Sequence, residues 1–316
     1  MLLSTHGLTK EFGGITAVDG VEFTLEEEEL CSVIGPNGAG KTTFFNLLTG
    51  VLEPTRGRIE FLPKSARREA IADALAEDEE LASRFETEAE LAGAIEAGDV
   101  SSDVVDPWLE PVDVTGASPH ETALLGIHRS YQVTNIFPTV SVLENVRIAV
   151  QAHQGNDSWR FWRNVNAFDD HIAEAESILE RIGLLEYADE PAENLSHGEK
   201  RNLEIGIALA GDPDVLLLDE PTAGVSSEDV DRVTDIIEDV ASDHAVMLIE
   251  HNMDVVMGIS DRVAVLNQGE LIAQGEPEEI RQSEAVQRAY LGGYEGDGSS
   301  TAAATDGGSD REVSAG

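Results

Sequence analysis

The chain has 316 residues, 41% of them hydrophobic, enough for one large α/β domain or two smaller ones with a real core, which excludes a disordered protein. Its 62 acidic and 20 basic residues give a formal net charge of −42, and the only lysines are Lys10, Lys41, Lys64 and Lys200, so nucleic-acid binding through a basic surface is not expected. The excess runs through loops and helices alike, as at Glu26 to Glu29 and Glu276 to Glu279, and predicts a halophilic protein suited to a cytoplasm whose molar salt shrinks the screening length to about 3 Å.

Short strands are predicted at Leu2–Thr5 and at the alternating Val21–Leu25, separated by Phe12–Val18. The apolar run Leu30–Ile34 contains the single cysteine, Cys31, which excludes an intramolecular disulfide and is expected as a small buried residue. A glycine loop follows, then Phe44–Leu48 with helical character and a strand over Gly57–Leu62. Between Lys64 and Val112 the chain carries 14 acidic and 4 basic residues around sparse apolar positions at Ile71, Leu75, Leu81, Phe85, Leu91 and Ile95, which predicts an exposed pair of acidic helices inserted into a loop (about 64–112). Helix is expected from Glu121 into Gly126, and again from Ser141 to Gly183 with a loop near Gly155–Asp157. Val215–Leu218 and Ala245–Ile249 are continuous apolar runs of strand length, the pattern of parallel strands buried on both faces, with a helix from Ser227 to Ala241 between them. The tail, 295–316, is rich in Gly, Ser, Ala and Asp without periodicity and reads as disordered. No stretch approaches 18 consecutive apolar residues and the N-terminus lacks a basic-then-apolar signal pattern, so a cytosolic chain that does not itself cross a membrane is expected.

Three stretches carry chemistry. Gly35-Pro36-Asn37-Gly38-Ala39-Gly40-Lys41-Thr42-Thr43 sits between a strand and a helix, the context in which G-x-x-x-x-G-K-[ST] forms a phosphate-binding loop. Its glycines let backbone N–H groups converge on phosphate oxygens at a helix N-terminus, Lys41 would reach the outer phosphates, and Thr42 a magnesium ion. Asp219 and Glu220 end the buried run Val215–Leu218, where Asp219 can hold magnesium through its water shell and Glu220 can polarise an attacking water as general base. Asn194-Leu195-Ser196-His197-Gly198-Glu199-Lys200 precedes a helix expected over Arg201–Ala210; it reads either as a Ser N-cap with Glu199 completing a capping box, or as a second phosphate-binding surface.

In order, these residues resemble the ABC transporter ATPase family, whose signature is LSGGQ where this chain has LSHGE, keeping Ser196 and Gly198; the resemblance runs from Leu2 to Leu62 and from Ser118 to Tyr294. It implies an α/β P-loop NTPase with a RecA-like parallel-sheet core, an N-terminal antiparallel β-subdomain and a helical subdomain about 133–200, all within an ATPase domain spanning 1–294. It also implies that Phe12 stacks on adenine with Val18 beside it, that Gln132 senses magnesium and the γ-phosphate while touching membrane subunits, and that His251 contacts the γ-phosphate. Two such subunits would sandwich two ATP molecules, each glycine loop (Gly35, Asn37, Gly38, Ala39, Gly40, Lys41, Thr42, Thr43) facing the partner's signature, with Mg2+ held by Thr42, Gln132 and Asp219. Ala223-Gly224-Val225-Ser226 occupies the family's D-loop but lacks the usual acid at its end. Phe12-Gly13-Gly14, Gly258-Ile259-Ser260-Asp261-Arg262, Asn267-Gln268-Gly269 and Arg288-Ala289-Tyr290-Leu291-Gly292-Gly293 look like the ATP-binding subunits of branched-chain amino acid importers, and Leu195-Ser196-His197-Gly198 also resembles urea importer subunits. The expected partners are a second ATPase subunit, identical or not, two transmembrane permeases on whose cytoplasmic side the chain sits, and indirectly a solute-binding protein. The competing classes are a soluble ABC ATPase of DNA repair or translation, disfavoured by the single cassette and lack of basic patches, and a generic P-loop kinase, which leaves LSHGE and His251 unexplained.

Overall fold

The computed structural model describes residues 1–85, 87–97, 99–130, 136–153 and 165–291. The chain opens with β1 (Leu3–Phe12) and β2 (Ile15–Leu25), a hairpin whose turn residues Gly13 and Gly14 both take positive φ, as a two-residue turn between right-twisted strands requires. β3 (Leu30–Ile34), buried throughout, feeds α1 (Lys41–Leu48), and β4 (Arg56–Phe61) pairs antiparallel with β1. The insertion folds as α2 (Lys64–Glu77), α3 (Glu79–Arg84), α4 (Glu88–Glu96) and a 3-10 segment over Ser102–Trp108, and β5 (Val112–Asp113) closes it beside β4. There follow α5 (Pro119–Leu125), β6 (Ile127–Ser130), α6 (Val142–His153), α7 (Val165–Arg181) and α8 (His197–Leu209). The second half alternates strand and helix: β7 (Val215–Asp219), α9 (Ser227–Ala241), β8 (Ala245–Ile249), α10 (Met253–Ile259) and β9 (Arg262–Asn267). It ends with β10 (Glu270–Gly275), α11 (Pro277–Gln282) and α12 (Glu284–Leu291).

Two sheets result. One is antiparallel in the order β2-β1-β4-β5; the other runs β10-β9-β3-β8-β7-β6, parallel from β9 to β6 with β10 antiparallel at its edge. Because side chains alternate along a strand, the parallel sheet packs both ways. Val33, Leu217 and Met247 join Phe23, Phe44 and Phe45 in the layer shared with the antiparallel sheet and α1. Leu216, Leu218, Val246 and Leu248 join Leu203, Ile205, Ile236 and Ile237 of α8 and α9 on the other face. Each fully buried Leu or Phe here contributes about 1.5–3 kcal/mol. Such burial fixes the C-terminal edge of the sheet, where β3, β7 and β8 deliver their loops together.

Several local expectations change. β1 extends well beyond Thr5, through polar positions, because its backbone stays paired with β2 as far as Phe12, with register shifts at three points along the way. The insertion is not an exposed helix pair: three helices and the 3-10 segment enclose their own cluster of Ala70, Ala74, Leu81, Leu91, Val100 and Val105. Its apolar density is undercounted when alanine is set aside, since Ala70 and Ala74, one turn apart on α2, supply the contact face. The helical stretch expected from Ser141 to Gly183 appears as α6 and α7, while the loop expected near Gly155–Asp157 and the tail expected as disordered lie outside the described residues.

Candidate active site

The loop Gly35–Gly40 leaves β3 and turns into α1 beside the β9–β10 turn and the β2 backbone. Two of its glycines are required by close approach: a Cβ at Gly35 would sit 2.1 Å from the Leu266 carbonyl oxygen, and one at Gly40 would sit 2.3 Å from that of Ala17. Gly38 differs, since a Cβ there would meet nothing within 4 Å, so this side of the loop faces open space. Asn37 and Thr42 are exposed at the mouth, Ala39 is buried, and the Gly269 N–H donates to the Ala39 carbonyl at 2.9 Å. Helix α1 starts at Gly40 without a side-chain cap and without an acid in its first turn. Helices α3, α4, α5, α8, α9, α10 and α11 carry acids in theirs, whereas α2 shares the bare start of α1. The positive end of the α1 dipole is therefore not met by a first-turn carboxylate of its own helix and can take an anion.

Lys41 is buried, with Nζ donating to the Gly35 and Pro36 carbonyls at 2.7 and 3.2 Å. Burial lowers its pKa, and the charges of Glu220 and then Asp219 oppose that shift. Across the loop, β7 and β8 pair in register at Asp219 and Ile249, so their following residues emerge side by side. Asp219 is buried, its Oδ2 held by Arg129 Nη2 at 2.5 Å and its backbone carbonyl by Arg201 Nη2 at 2.6 Å. Glu220 takes a positive φ of 50°, a conformation that costs a non-glycine residue about 1–3 kcal/mol and persists only where neighbours impose it. Its N–H donates to the Ile249 carbonyl at 2.8 Å, and its Oε1 lies 3.0 Å from His251 Nε2. The Glu220 side chain is 28% exposed and that of His251 48%, so both reach solvent above the loop.

The donor set suits a nucleoside triphosphate with magnesium. An uncapped helix start, an open glycine and a buried ammonium match phosphate oxygens, while Thr42 and Asp219 match the few protein ligands that magnesium takes when phosphates and waters fill its other positions. Among the described residues no group of three or more His, Cys, Asp or Glu could hold a metal unaided.

The structure thus brings Lys41, Asp219, Glu220 and His251 to one edge of the sheet. Phe12 stands 45% exposed at the hairpin tip with Lys10 Nζ 5.2 Å from its ring centroid, available for stacking. Val18 is a correction: it pairs across from Lys10, faces inward and is fully buried, so its side chain supports the hairpin and offers no surface to a base. Ser196 and Gly198 lie on the helical layer, engaged locally. Ser196 caps α8 in a capping box with Glu199, and a Cβ at Gly198 would meet Asp229 Cγ at 2.7 Å, so a larger residue there would have to displace that side chain. In the D-loop, Ser226 caps α9 through Asp229, and Gly224 lies beside His197. Gln132 lies outside the described residues. Cys31 is inert, its thiol pushed up to about 12 by burial. The sequence reading missed Arg129, Arg201, Thr222 and Glu250; charge inside β6 and directly after β8 was the available signal for Arg129 and Glu250, whereas Arg201 on α8 and the uncharged Thr222 beyond β7 carried none.

A parallel sheet with a phosphate loop after β3 and a carboxylate pair after β7 defines a P-loop ATPase. Residues 18–91 and 89–223 match the family described as ABC transporter, and residues 270–296 match branched-chain amino acid ATP-binding cassette transporter, so the chain belongs to the ABC transporter ATPase family. It is 36% identical over 299 residues to the high-affinity branched-chain amino acid transport ATP-binding protein LivG of Escherichia coli (strain K12), covering 92% of this chain and 98% of that one. The protein of that name in Salmonella typhimurium is 35% identical over 297 residues with the same coverage, and a probable one in Archaeoglobus fulgidus 28% over 301 residues, covering 92% and 95%. Among solved structures, an ATP-binding cassette of an ABC transporter in its ADP conformation shares the fold with a TM-score of 0.65 at 24% identity, covering 92% and 98% of the two chains. A nucleotide-free cassette gives a TM-score of 0.66 at 23% identity with the same coverage. Among the described residues no helix is long and apolar enough to cross a membrane.

Proposed function

We propose that this chain hydrolyses ATP to power an importer of branched-chain or related hydrophobic amino acids. It would work on the cytoplasmic side of the membrane, paired with a second ATPase subunit and bound to two permease subunits that receive solute from a binding protein. The carrying observation is the meeting of Lys41, Asp219, Glu220 and His251 at the ends of β3, β7 and β8. The α1 N-terminus and Lys41 hold the phosphates, and Phe12 receives the adenine. Glu220, aligned by His251, takes the proton of the attacking water, and His251 donates toward the terminal phosphate. Thr42, Asp219 and, as the family resemblance implies, Gln132 would hold magnesium, which would neutralise phosphate charge when bound. The second site half, Ser196 and Gly198, serves the partner's nucleotide across the dimer.

The solute assignment is supported by the names of the relatives and by the match over residues 270–296. Uptake of labelled leucine and labelled urea by cells lacking this chain tests it. Lost leucine uptake with unchanged urea uptake is expected; the reverse overturns the amino-acid reading.

A further inference from the structure

The carboxylate of Glu250 has no part in the reading above, on which this inference rests. Glu250 stands between the end of β8 and His251 and is only 3% exposed. Its Oε1 accepts hydrogen bonds from the Thr222 backbone N–H at 2.8 Å and from the Thr222 hydroxyl at 2.5 Å. Its Oε2 accepts from the backbone N–H groups of His251 at 2.9 Å and of Asn252 at 3.2 Å. Two donors thus come from the segment that carries Glu220 and two from the segment that carries His251. Beyond them, Asn252 caps α10 by accepting from the Asp254 N–H at 3.1 Å.

We propose that Glu250 is a positioning residue, a carboxylate clamp that holds Glu220 and His251 in register for ATP hydrolysis. A carboxylate is the side chain this place requires, because it accepts at both ends and donates at neither. An amide of the same shape would turn its NH2 either on the Thr222 donors or on the two N–H groups of His251 and Asn252. Buried charge-assisted bonds are also stiffer than neutral ones, and the positive φ of Glu220 needs such restraint from its surroundings. The rival role, general base, suits Glu250 poorly. Its oxygens are already engaged by four donors in a buried site, whereas a base must reach water, as the 28% exposed side chain of Glu220 does.

The test measures kcat, the ATP dissociation constant and the unfolding midpoint of the full chain carrying Glu250→Gln, Thr222→Val, or both. Misplacement of the reacting groups without loss of the phosphate loop should lower kcat about tenfold to a hundredfold in Glu250→Gln while ATP affinity changes less than about twofold. Thr222→Val, which loses only the hydroxyl bond, should lower kcat about threefold alone and less than about twofold further in the Glu250→Gln background. Unchanged kcat in either folded variant overturns the clamp, and so does a loss of ATP affinity as large as the loss of kcat. Should Glu250→Gln not fold, Thr222→Val decides by the same split. His251→Ala is assayed alongside. Full turnover there removes the underlying reading of His251, whereas lost turnover there with full turnover in Glu250→Gln removes the clamp alone.

Discussion

Arg129→Met isolates the buried ion pair beneath the site. Arg129 and Asp219 approach to 2.5 Å with both side chains nearly devoid of exposure, and Arg129 also donates to Asn46 Oδ1 and stacks over Phe45. Removing one partner of a buried pair costs about 3–5 kcal/mol because the other charge stays behind unpaired. Here the ammonium of Lys41, whose pKa responds to Asp219, offsets part of that, so about 3 kcal/mol is expected, the low end of the range. For a large domain that lowers the unfolding midpoint by about 6–12 °C. The double variant Arg129→Met with Asp219→Asn removes the orphaned charge and should recover much of the loss, as neutral replacements of buried pairs do. Thermal and urea unfolding of the wild type, both single variants and the double variant measure the cycle. A loss below about 1 kcal/mol for Arg129→Met, or a double variant less stable than Arg129→Met alone, would show that the Asp219 charge is not stranded by loss of Arg129.

The other expectations are simpler. With a net charge of −42, stability should rise as KCl goes from about 0.1 M to 1 M, over which the screening length falls from about 10 to 3 Å; a midpoint that is flat or falling defeats the proposed halophilic adaptation. The insertion should be dispensable for ATP binding, since its apolar cluster is its own and its ends meet where Phe61 pairs with Val112. Replacing 66–109 by a short Gly/Ser linker retains Lys64, whose N–H donates to the buried Asp214 at 2.8 Å, and should leave the ATP dissociation constant within about twofold. Loss of ATP binding by a folded variant would show that the insertion reaches the nucleotide.

What could be read from sequence followed from burial. β7 up to Asp219 and β8 are continuous apolar runs, and β3 is one broken only by Ser32, because both their faces are covered; the glycine loop and the Asp219–Glu220 pair stand at their ends. β1 is harder, because His6, Thr9 and Lys10 break the alternation and Gly7 takes a positive φ inside a strand with shifting register. The role of Glu250 depends on the pairing of β7 with β8, which sets Thr222 beside it from 28 positions away. Arg129 reaches Asp219 across 90 positions only once β6 lies next to β7. Local pattern names residues, but contacts between strands assign these two their work.

The proposed hydrolysis turns on Glu220, beside Asp219 and against His251, activating the attacking water. Steady-state ATP turnover by Glu220→Gln, measured together with its ATP affinity, tests this most directly. ATP binding within about twofold of wild type is expected, with turnover reduced at least a hundredfold. Turnover close to wild type in a folded Glu220→Gln chain would contradict it.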